Sequence, residues 1–143
     1  MRSRRGCVAV LALAAFGLWA QPLRSTWDGV YTQAQADRGK DIYARQCLEC
    51  HGDDLEGDPE NPPLTEPAFV YKWNTLTAAD LFERIHRDMP MDRPGTLTRQ
   101  KAVDLVAFLL NFNKFPTGAR ELPADPAALR QIRIDALPPS EKK

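Results

Sequence analysis

The sequence predicts an all-α domain with one core, and three observations predict it. Apolar residues recur at helical spacing over residues 33–46, a helix-capping pair opens the segment before Pro90, and residues 99–112 are apolar over most of a helix circumference. No stretch alternates apolar and polar residues as half-buried strands do, so we predict no strands. A chain of 143 residues is long enough for one domain and short for two.

Residues 1–20 have the pattern of a secretory signal peptide. Three arginines within Met1–Arg5 precede an uncharged run from Gly6 to Ala20, which is shorter than the roughly 20 residues of a membrane span. We expect cleavage after Ala20, with an uncleaved anchor as the alternative, and Cys7 would leave with the signal. The mature protein would then be exported and have no stable membrane span.

The charge balance argues against a nucleic-acid partner. The chain has 19 basic and 19 acidic residues, and three of the basic ones lie in the predicted signal. The mature protein would therefore carry 16 basic residues against 19 acidic ones, a slightly negative balance without a basic cluster.

The first predicted helix runs from Gln33 to Gln46, after an extended lead over residues 21–32. Gly39 in its middle costs roughly 1 kcal/mol relative to alanine, so we expect another element to approach the backbone there closely. One face of the helix carries four residues three, four and four positions apart: Ala36, Gly39, Tyr43 and Cys47.

A long loop is predicted over residues 52–74. This segment holds four prolines and two glycines and does not read as a regular helix. Loops of this length inside a compact domain are uncommon unless they are functional, and a bound cofactor is one way to order them.

Two further helices follow the loop. Thr77 and Asp80 form a capping pair at the start of the second helix, which Pro90 ends. Thr98 caps the third helix, which ends near Asn113 and needs cover on two sides. We expect its Phe108 to lie near Gly39 and Tyr43 of the first helix.

A proline-rich tail occupies residues 114–143. Its stretch DPAALRQI predicts a short helix with Pro126 in the first turn. The tail is either a strap closing over the helices or a docking segment for a larger complex.

The motif CLECHG places two thiols and an imidazole within five residues, Cys47, Cys50 and His51. Thiols three apart at a helix end suit the two vinyl carbons of a haem, and the adjacent histidine can then ligate the iron; this is the spacing of c-type haem attachment. Three alternatives stay open: a structural disulfide, a thioredoxin-like pair, and a zinc site that also uses His86.

Beyond this motif, the chain resembles the class I monohaem cytochromes c over residues 27–137. The resemblance rests on the helix leading into CLECHG, PPL at 62–64, Met-Pro at 89–90 and VDLVAFLL in the last helix. Segments such as WDGVYT, RIHRDMP and NKFPTGARELP are similar to the periplasmic branch often associated with quinoprotein (PQQ-dependent) dehydrogenases. It implies three main helices around one covalently bound haem c, a domain over residues 33–113 and a C-terminal extension.

The resemblance also implies roles for individual residues. His51 and Met89 would be the axial iron ligands, with Met91 or His86 as alternatives to Met89. A proline carbonyl would accept the other imidazole N–H of His51; we expect Pro63, with Pro62 as the alternative. Trp73 would donate its indole N–H to a haem propionate or serve as an apolar wall.

The function implied by the resemblance is one-electron transfer in the periplasm. The expected donor is a quinoprotein dehydrogenase, and the expected acceptor is another cytochrome or a terminal oxidase. We do not expect an enzyme in its own right. The alternatives are the haem subunit of a dehydrogenase complex and a small haem enzyme or sensor with an open sixth position.

Overall fold

The computed structural model describes residues 23–138 and residue 140, so the predicted signal peptide lies outside the described residues. A single turn of 3-10 helix covers Thr26–Asp28, and two two-residue strands, β1 (Arg24–Ser25) and β2 (Ile132–Arg133), pair in parallel. Among the described residues the α-helices are α1 (Gln33–Gln46), α2 (Leu48–His51), α3 (Ala68–Trp73), α4 (Ala78–Asp88), α5 (Arg99–Phe112) and α6 (Pro126–Leu129).

Helix α1 has the predicted bounds. The Thr32 side chain caps its start by accepting a hydrogen bond from the backbone N–H of Gln35, at 3.2 Å. The residue after it, Cys47, leaves the helical conformation with φ −127° and ψ −29°. A second, four-residue helix begins at once, so the helical run is interrupted at the first thiol and the second thiol lies in α2.

Helices α1 and α5 cross at Gly39, as the sequence predicts. A Cβ atom on Gly39 would collide with the backbone carbonyl of Asp104 and come within 2.7 Å of Cβ of Phe108. Next to this contact, the rings of Tyr43 and Phe108 lie 5.1 Å apart between centroids. The glycine is therefore needed because it lets the two backbones touch.

The predicted starts of α4 and α5 are confirmed. Thr77 and Asp80 form a capping box, in which the Thr77 N–H donates to the Asp80 carboxylate at 2.7 Å. Thr98 caps α5 by accepting from the backbone N–H of Lys101 at 3.3 Å. Residues 102–110 of α5 are all buried, because α1 and α4 both pack against it.

Two sequence expectations about secondary structure were wrong. Helix α3 lies within the segment predicted to be a loop; the four prolines all precede it, and Pro67 occupies its N-cap, so none interrupts the run AFVYKW. The strands β1 and β2 were also missed, because each has only two residues and therefore no periodicity to detect.

The tail is a strap over the helices. Its predicted short helix is α6, where the Asp125 carboxylate accepts from the N–H groups of Ala127 and Ala128. The strand β2 then pairs with β1, so the two ends of the described chain meet. The tail buries five apolar side chains in the common core: Phe115, Leu122, Leu129, Ile132 and Ile134.

Lead and tail therefore belong to the same packed unit as residues 33–113. The Gln35 side chain exchanges two hydrogen bonds with the backbone of Leu122, at 2.8 and 3.0 Å. The Trp27 indole donates to the Asp135 carbonyl at 2.8 Å and packs on Phe115 at 4.9 Å. No helix in the described part of the chain is long and apolar enough to cross a membrane.

Candidate functional site

A cavity of about 470 Å³ opens between the end of α1, α2, α4 and α5. Its volume lies in the range of roughly 300–1,000 Å³ that small-molecule and cofactor sites occupy. The loop and α3 close one side. Apolar side chains from four parts of the chain form its walls: Leu64, Trp73, Leu81, Ile85, Leu105 and Leu109.

Both thiols of the CLECHG motif line this cavity. Cys47 is half-buried and Cys50 is exposed, and each is a free thiol. Burial, reinforced by the neighbouring Cys50, raises the pKa of Cys47 to about 11, so this thiol is protonated at neutral pH. The two sulfur atoms are available for reaction with a molecule that enters the cavity.

His51 also lines the cavity, at the end of α2. Only 8% of the residue is exposed, and Nδ1 is fully buried without a hydrogen-bond partner of good geometry. Burial lowers the pKa of His51, and the Pro62 backbone and the Asp58 carboxylate oppose this effect in part. The imidazole is therefore neutral at pH 7, which is the form that ligates metals.

Two prolines are candidates for the carbonyl that accepts the other imidazole N–H of His51. Pro62, the alternative, lines the cavity with His51, whereas Pro63, the first choice, does not line it. The Pro62 backbone acts on the imidazole as a hydrogen-bond acceptor would, although it falls outside strict hydrogen-bond geometry with Nδ1. The two groups face each other without a formed hydrogen bond. The structure favours the alternative, Pro62, over Pro63, and the acceptance of the imidazole N–H by either proline stays a prediction.

The two methionines line the same cavity but differ in burial. Met89 immediately follows α4, its backbone N–H donates to the Ile85 carbonyl at 3.2 Å, and its side chain is half-buried. Met91 is 73% exposed at the rim. His86 is not part of the lining and instead stacks on the Phe82 ring at 5.5 Å.

Trp73 lies in the wall at the end of α3 and is 7% exposed. Its ring contacts Phe69 at 6.5 Å, and the Lys72 ammonium lies 5.3 Å from its centroid. The indole N–H makes no hydrogen bond to another described residue, so it remains available to a ligand. Both expected roles for Trp73, wall and donor, are compatible with this position.

The zinc and thioredoxin alternatives are not supported by this geometry. No group of three or more histidine, cysteine, aspartate or glutamate side chains among residues 23–138 is arranged to hold a metal ion. His86 lies away from the CLECHG motif, and the only sheet among the described residues is the two-residue pair β1–β2.

The cavity fits a haem. Two thiols at one edge suit thioether bonds to its vinyl groups, a neutral buried imidazole has a nitrogen free for iron, and the thioether of the residue directly after α4 shares the cavity. The apolar walls suit the flat macrocycle. When bound, haem supplies an iron that cycles between Fe(III) and Fe(II).

Two hydrogen bonds that shape the site were not predicted from the sequence. Tyr43 donates its hydroxyl to the carbonyl of Gly52, directly after His51, at 2.7 Å. Asn113, at the end of α5, donates to the Leu64 carbonyl in the loop at 2.9 Å. Tyr43 and Gly52 lie on either side of the break between α1 and α2, and Asn113 and Leu64 are 49 residues apart in sequence. No local sequence pattern therefore predicts either contact.

Comparisons with known proteins show the family of this chain. The family model described as "Cytochrome C oxidase, cbb3-type, subunit III" matches residues 34–109, more than half of the chain. Thiosulfate dehydrogenase of Stutzerimonas stutzeri (strain A1501) is 31% identical, over an alignment that covers 62% of this chain and 28% of that protein. The chain thus spans little more than a quarter of that relative.

Among solved structures, the sulfane dehydrogenase SoxCD of Paracoccus pantotrophus is similar to this chain. The sequence identity is 25% and the TM-score is 0.47, with 70% of this chain and 60% of that chain covered.

The family match covers the helix before CLECHG, the motif itself, the methionines and most of α5. The helical architecture, with α1 and α5 crossing beside the cavity, is the class I cytochrome c fold. The chain belongs to the cytochrome c family described as cbb3-type oxidase subunit III, and it is a monohaem c-type cytochrome with one covalently bound haem c.

Proposed function

We propose that this protein is a one-electron carrier whose haem is attached through Cys47 and Cys50, with His51 and Met89 as axial ligands. The observation that carries this proposal is that the two thiols, the neutral imidazole and the half-buried thioether all line one apolar cavity. The family match supports electron transfer as the general role.

The residues of the chain explain why a carrier is favoured over an enzyme. With His51 and Met89 both bound, no iron position is left for a substrate. A methionine thioether opposite histidine raises the reduction potential relative to two histidines, so the protein would accept electrons from moderately reducing donors. The apolar walls would keep water from a bound haem iron, and the exposed Cys50 marks the edge at which a partner would dock.

The proposed donor is a dehydrogenase, and the proposed acceptor is another cytochrome or a terminal oxidase. The resemblance to the quinoprotein-associated branch supports a quinoprotein donor, whereas the thiosulfate dehydrogenase relative supports a donor that oxidises sulfur compounds. Redox encounters of this kind bury small surfaces and are transient. A periplasmic location is part of the proposal and follows from the predicted signal.

A spectroscopic experiment tests the carrier proposal. We expect the purified ferric protein to show the weak absorption band at the red end of the visible spectrum that reports a methionine sulfur on iron. We also expect carbon monoxide to bind the ferrous protein slowly and incompletely at neutral pH. Rapid, complete binding would indicate an open sixth position and hence an enzyme or sensor.

A second candidate is a haem subunit of a dehydrogenase complex. It is favoured by the relative from Stutzerimonas stutzeri, which is a longer protein named as a dehydrogenase and only partly covered by this chain. Co-purification of a dehydrogenase through gel filtration, in a fixed ratio to haem, would support the subunit role. A haem protein that elutes alone at its own mass supports the free carrier.

A further inference from the structure

The buried amide of Asn113 is not explained by the core around it. Asn113 is 2% exposed and follows the last residue of α5. Its Nδ2 atom donates to two carbonyls, that of Leu109 at 2.8 Å and that of Leu64 at 2.9 Å. Its Oδ1 atom is buried without a hydrogen-bond partner, and an unsatisfied buried acceptor costs roughly 1–3 kcal/mol.

The orientation of this amide follows from its neighbours. Both facing groups are carbonyl oxygens, which only accept hydrogen bonds, so the nitrogen must face them. The bond to Leu109 lies within the end of the same helix, whereas the bond to Leu64 spans 49 residues of sequence. Asn113 thus holds the far end of the loop that begins just after His51.

Backbone hydrogen bonds close the loop that follows His51 around the imidazole. The Gly57 N–H donates to the His51 carbonyl at 3.0 Å, and the Leu64 N–H donates to the Leu55 carbonyl at 2.8 Å. Between them, the Asp58–Asn61 turn leads directly into Pro62. Asn113 is the described side chain that ties this closed loop to α5.

The short segment from Pro62 to Leu64 transmits this restraint. Proline fixes its own φ angle and restricts the residue before it, so Pro62 and Pro63 form a stiff link. The position of the Leu64 carbonyl therefore restricts where the Pro62 carbonyl, two residues earlier, can lie. Pro62 and Leu64 both line the cavity with His51.

We propose that Asn113 is a positioning residue for His51 as an iron ligand, because it holds Leu64 and thereby keeps the Pro62 backbone facing the imidazole, where its carbonyl would accept the Nδ1 proton when haem is bound. This inference rests on the proposed ligation of iron by His51. A carbonyl that accepts the Nδ1 proton of a ligating histidine fixes its ring and makes it more basic. A more basic imidazole favours ferric iron and lowers the reduction potential.

The test uses the holoprotein with Asn113→Ala, and Asn111→Ala is the matched control. Asn111 is an amide near the same helix end that bonds to Tyr31 and Gln33, away from the loop. The readouts are the solvent exchange rate of the His51 Nδ1 proton in the ferrous protein by NMR, the reduction potential and the melting temperature.

We expect Asn113→Ala to speed exchange of the Nδ1 proton roughly tenfold, the equivalent of one hydrogen bond, and to raise the reduction potential. Asn111→Ala should leave both unchanged. A variant Asn113→Ala that melts earlier but keeps the wild-type exchange rate and potential would show a purely structural role and overturn the inference.

If Asn113→Ala yields no haem protein, Asn113→Ser decides, since its shorter side chain cannot bridge both carbonyls. Faster exchange in Asn113→Ser supports the inference, and wild-type values overturn it. The NMR spectrum of the wild-type protein distinguishes failure of the proposed iron ligation from failure of this inference alone. Without NMR signals of an iron-bound His51 in the wild type, the proposed ligation and this inference both fall; with those signals but unaltered variants, only the inference falls.

Discussion

Two methionines lie two residues apart after α4, and their burial separates them. Met89 is half-buried and is followed by the buried Pro90, whereas Met91 is 73% exposed. A ligand that must keep water from iron and hold one geometry is better served by the restrained side chain. Burial therefore favours Met89 as the sixth ligand over the rim residue.

This difference gives a residue-scale prediction. Met89→Leu should abolish the weak red band of the ferric protein and allow carbon monoxide to bind the ferrous protein rapidly and completely. Leucine conserves the volume of methionine but has no sulfur, so the fold should be kept at a cost below about 1.5 kcal/mol. Absorption spectra and carbon monoxide titration provide the measurement.

Met91→Leu is the control for this prediction, because it makes the same chemical change at the exposed neighbour. Its spectrum should match that of the wild type. If Met91→Leu rather than Met89→Leu loses the band, Met91 and not Met89 is the sixth ligand.

At the scale of elements, the crossing of α1 and α5 sets the shape of the cavity. Tyr43 on α1 and Leu105 and Leu109 on α5 line it on either side of the crossing. The helices approach closely because Gly39 has no side chain and rests on the Asp104 carbonyl. A shift of α1 relative to α5 at this crossing would therefore move the cavity walls.

Gly39→Ala tests this contact. The added methyl group would overlap the backbone of α5 and approach Phe108, so we expect a loss of about 3 kcal/mol in the free energy of unfolding. Denaturant unfolding monitored by circular dichroism measures the loss.

Gly95→Ala is a useful comparison for that substitution. Gly95 has φ +72°, but no neighbouring atom lies within 4 Å of the site where a Cβ would stand. Its replacement should cost about 1 kcal/mol through backbone strain alone. Equal losses in the two variants would contradict the close approach at Gly39.

At the scale of the whole molecule, the two ends of the described chain close the fold. The lead and the tail meet through β1 and β2 and through the hydrogen bond from the Ser25 hydroxyl to the Asp135 carboxylate at 2.6 Å. The Ile134 N–H donates to the Leu76 carbonyl at 2.8 Å, so the tail also holds the segment that leads into α4. Helix α4 in turn ends at Asp88, directly before Met89, and this links the tail to the site.

Removal of the tail should therefore abolish the fold. A chain that ends at Lys114 loses five buried apolar side chains, each worth about 1.5–3 kcal/mol, and their sum is comparable with the roughly 5–15 kcal/mol stability of a whole domain. We expect no soluble haem protein from this truncation, as judged by haem absorbance after expression.

Ending the chain after Leu137 is the control, since all five buried side chains are kept and Leu137 is itself 49% exposed. Its unfolding free energy should stay within about 0.5 kcal/mol of wild type. A stable haem protein that ends at Lys114 would instead show that the tail is dispensable and is available for docking.

Local sequence determined much of this molecule. The sequence predicted the bounds of α1 and the caps of α4 and α5, and the CLECHG spacing indicated haem attachment. Each of these features depends on residues within one or two helical turns. The need for Gly39 to touch another element was also visible, because a mid-helix glycine is costly unless a close contact compensates it.

Only the tertiary structure decided which distant groups meet. The sequence offered both Pro62 and Pro63 and did not decide which of them faces His51. It also could not predict that the ends of the described chain pair as β1 and β2, or that Asn113 holds Leu64. The longest of these contacts joins residues 108 positions apart, Arg24 and Ile132, and their geometry is set by how the whole chain packs. Short-range periodicity carries no information about such pairings, because the same local pattern is compatible with many long-range arrangements.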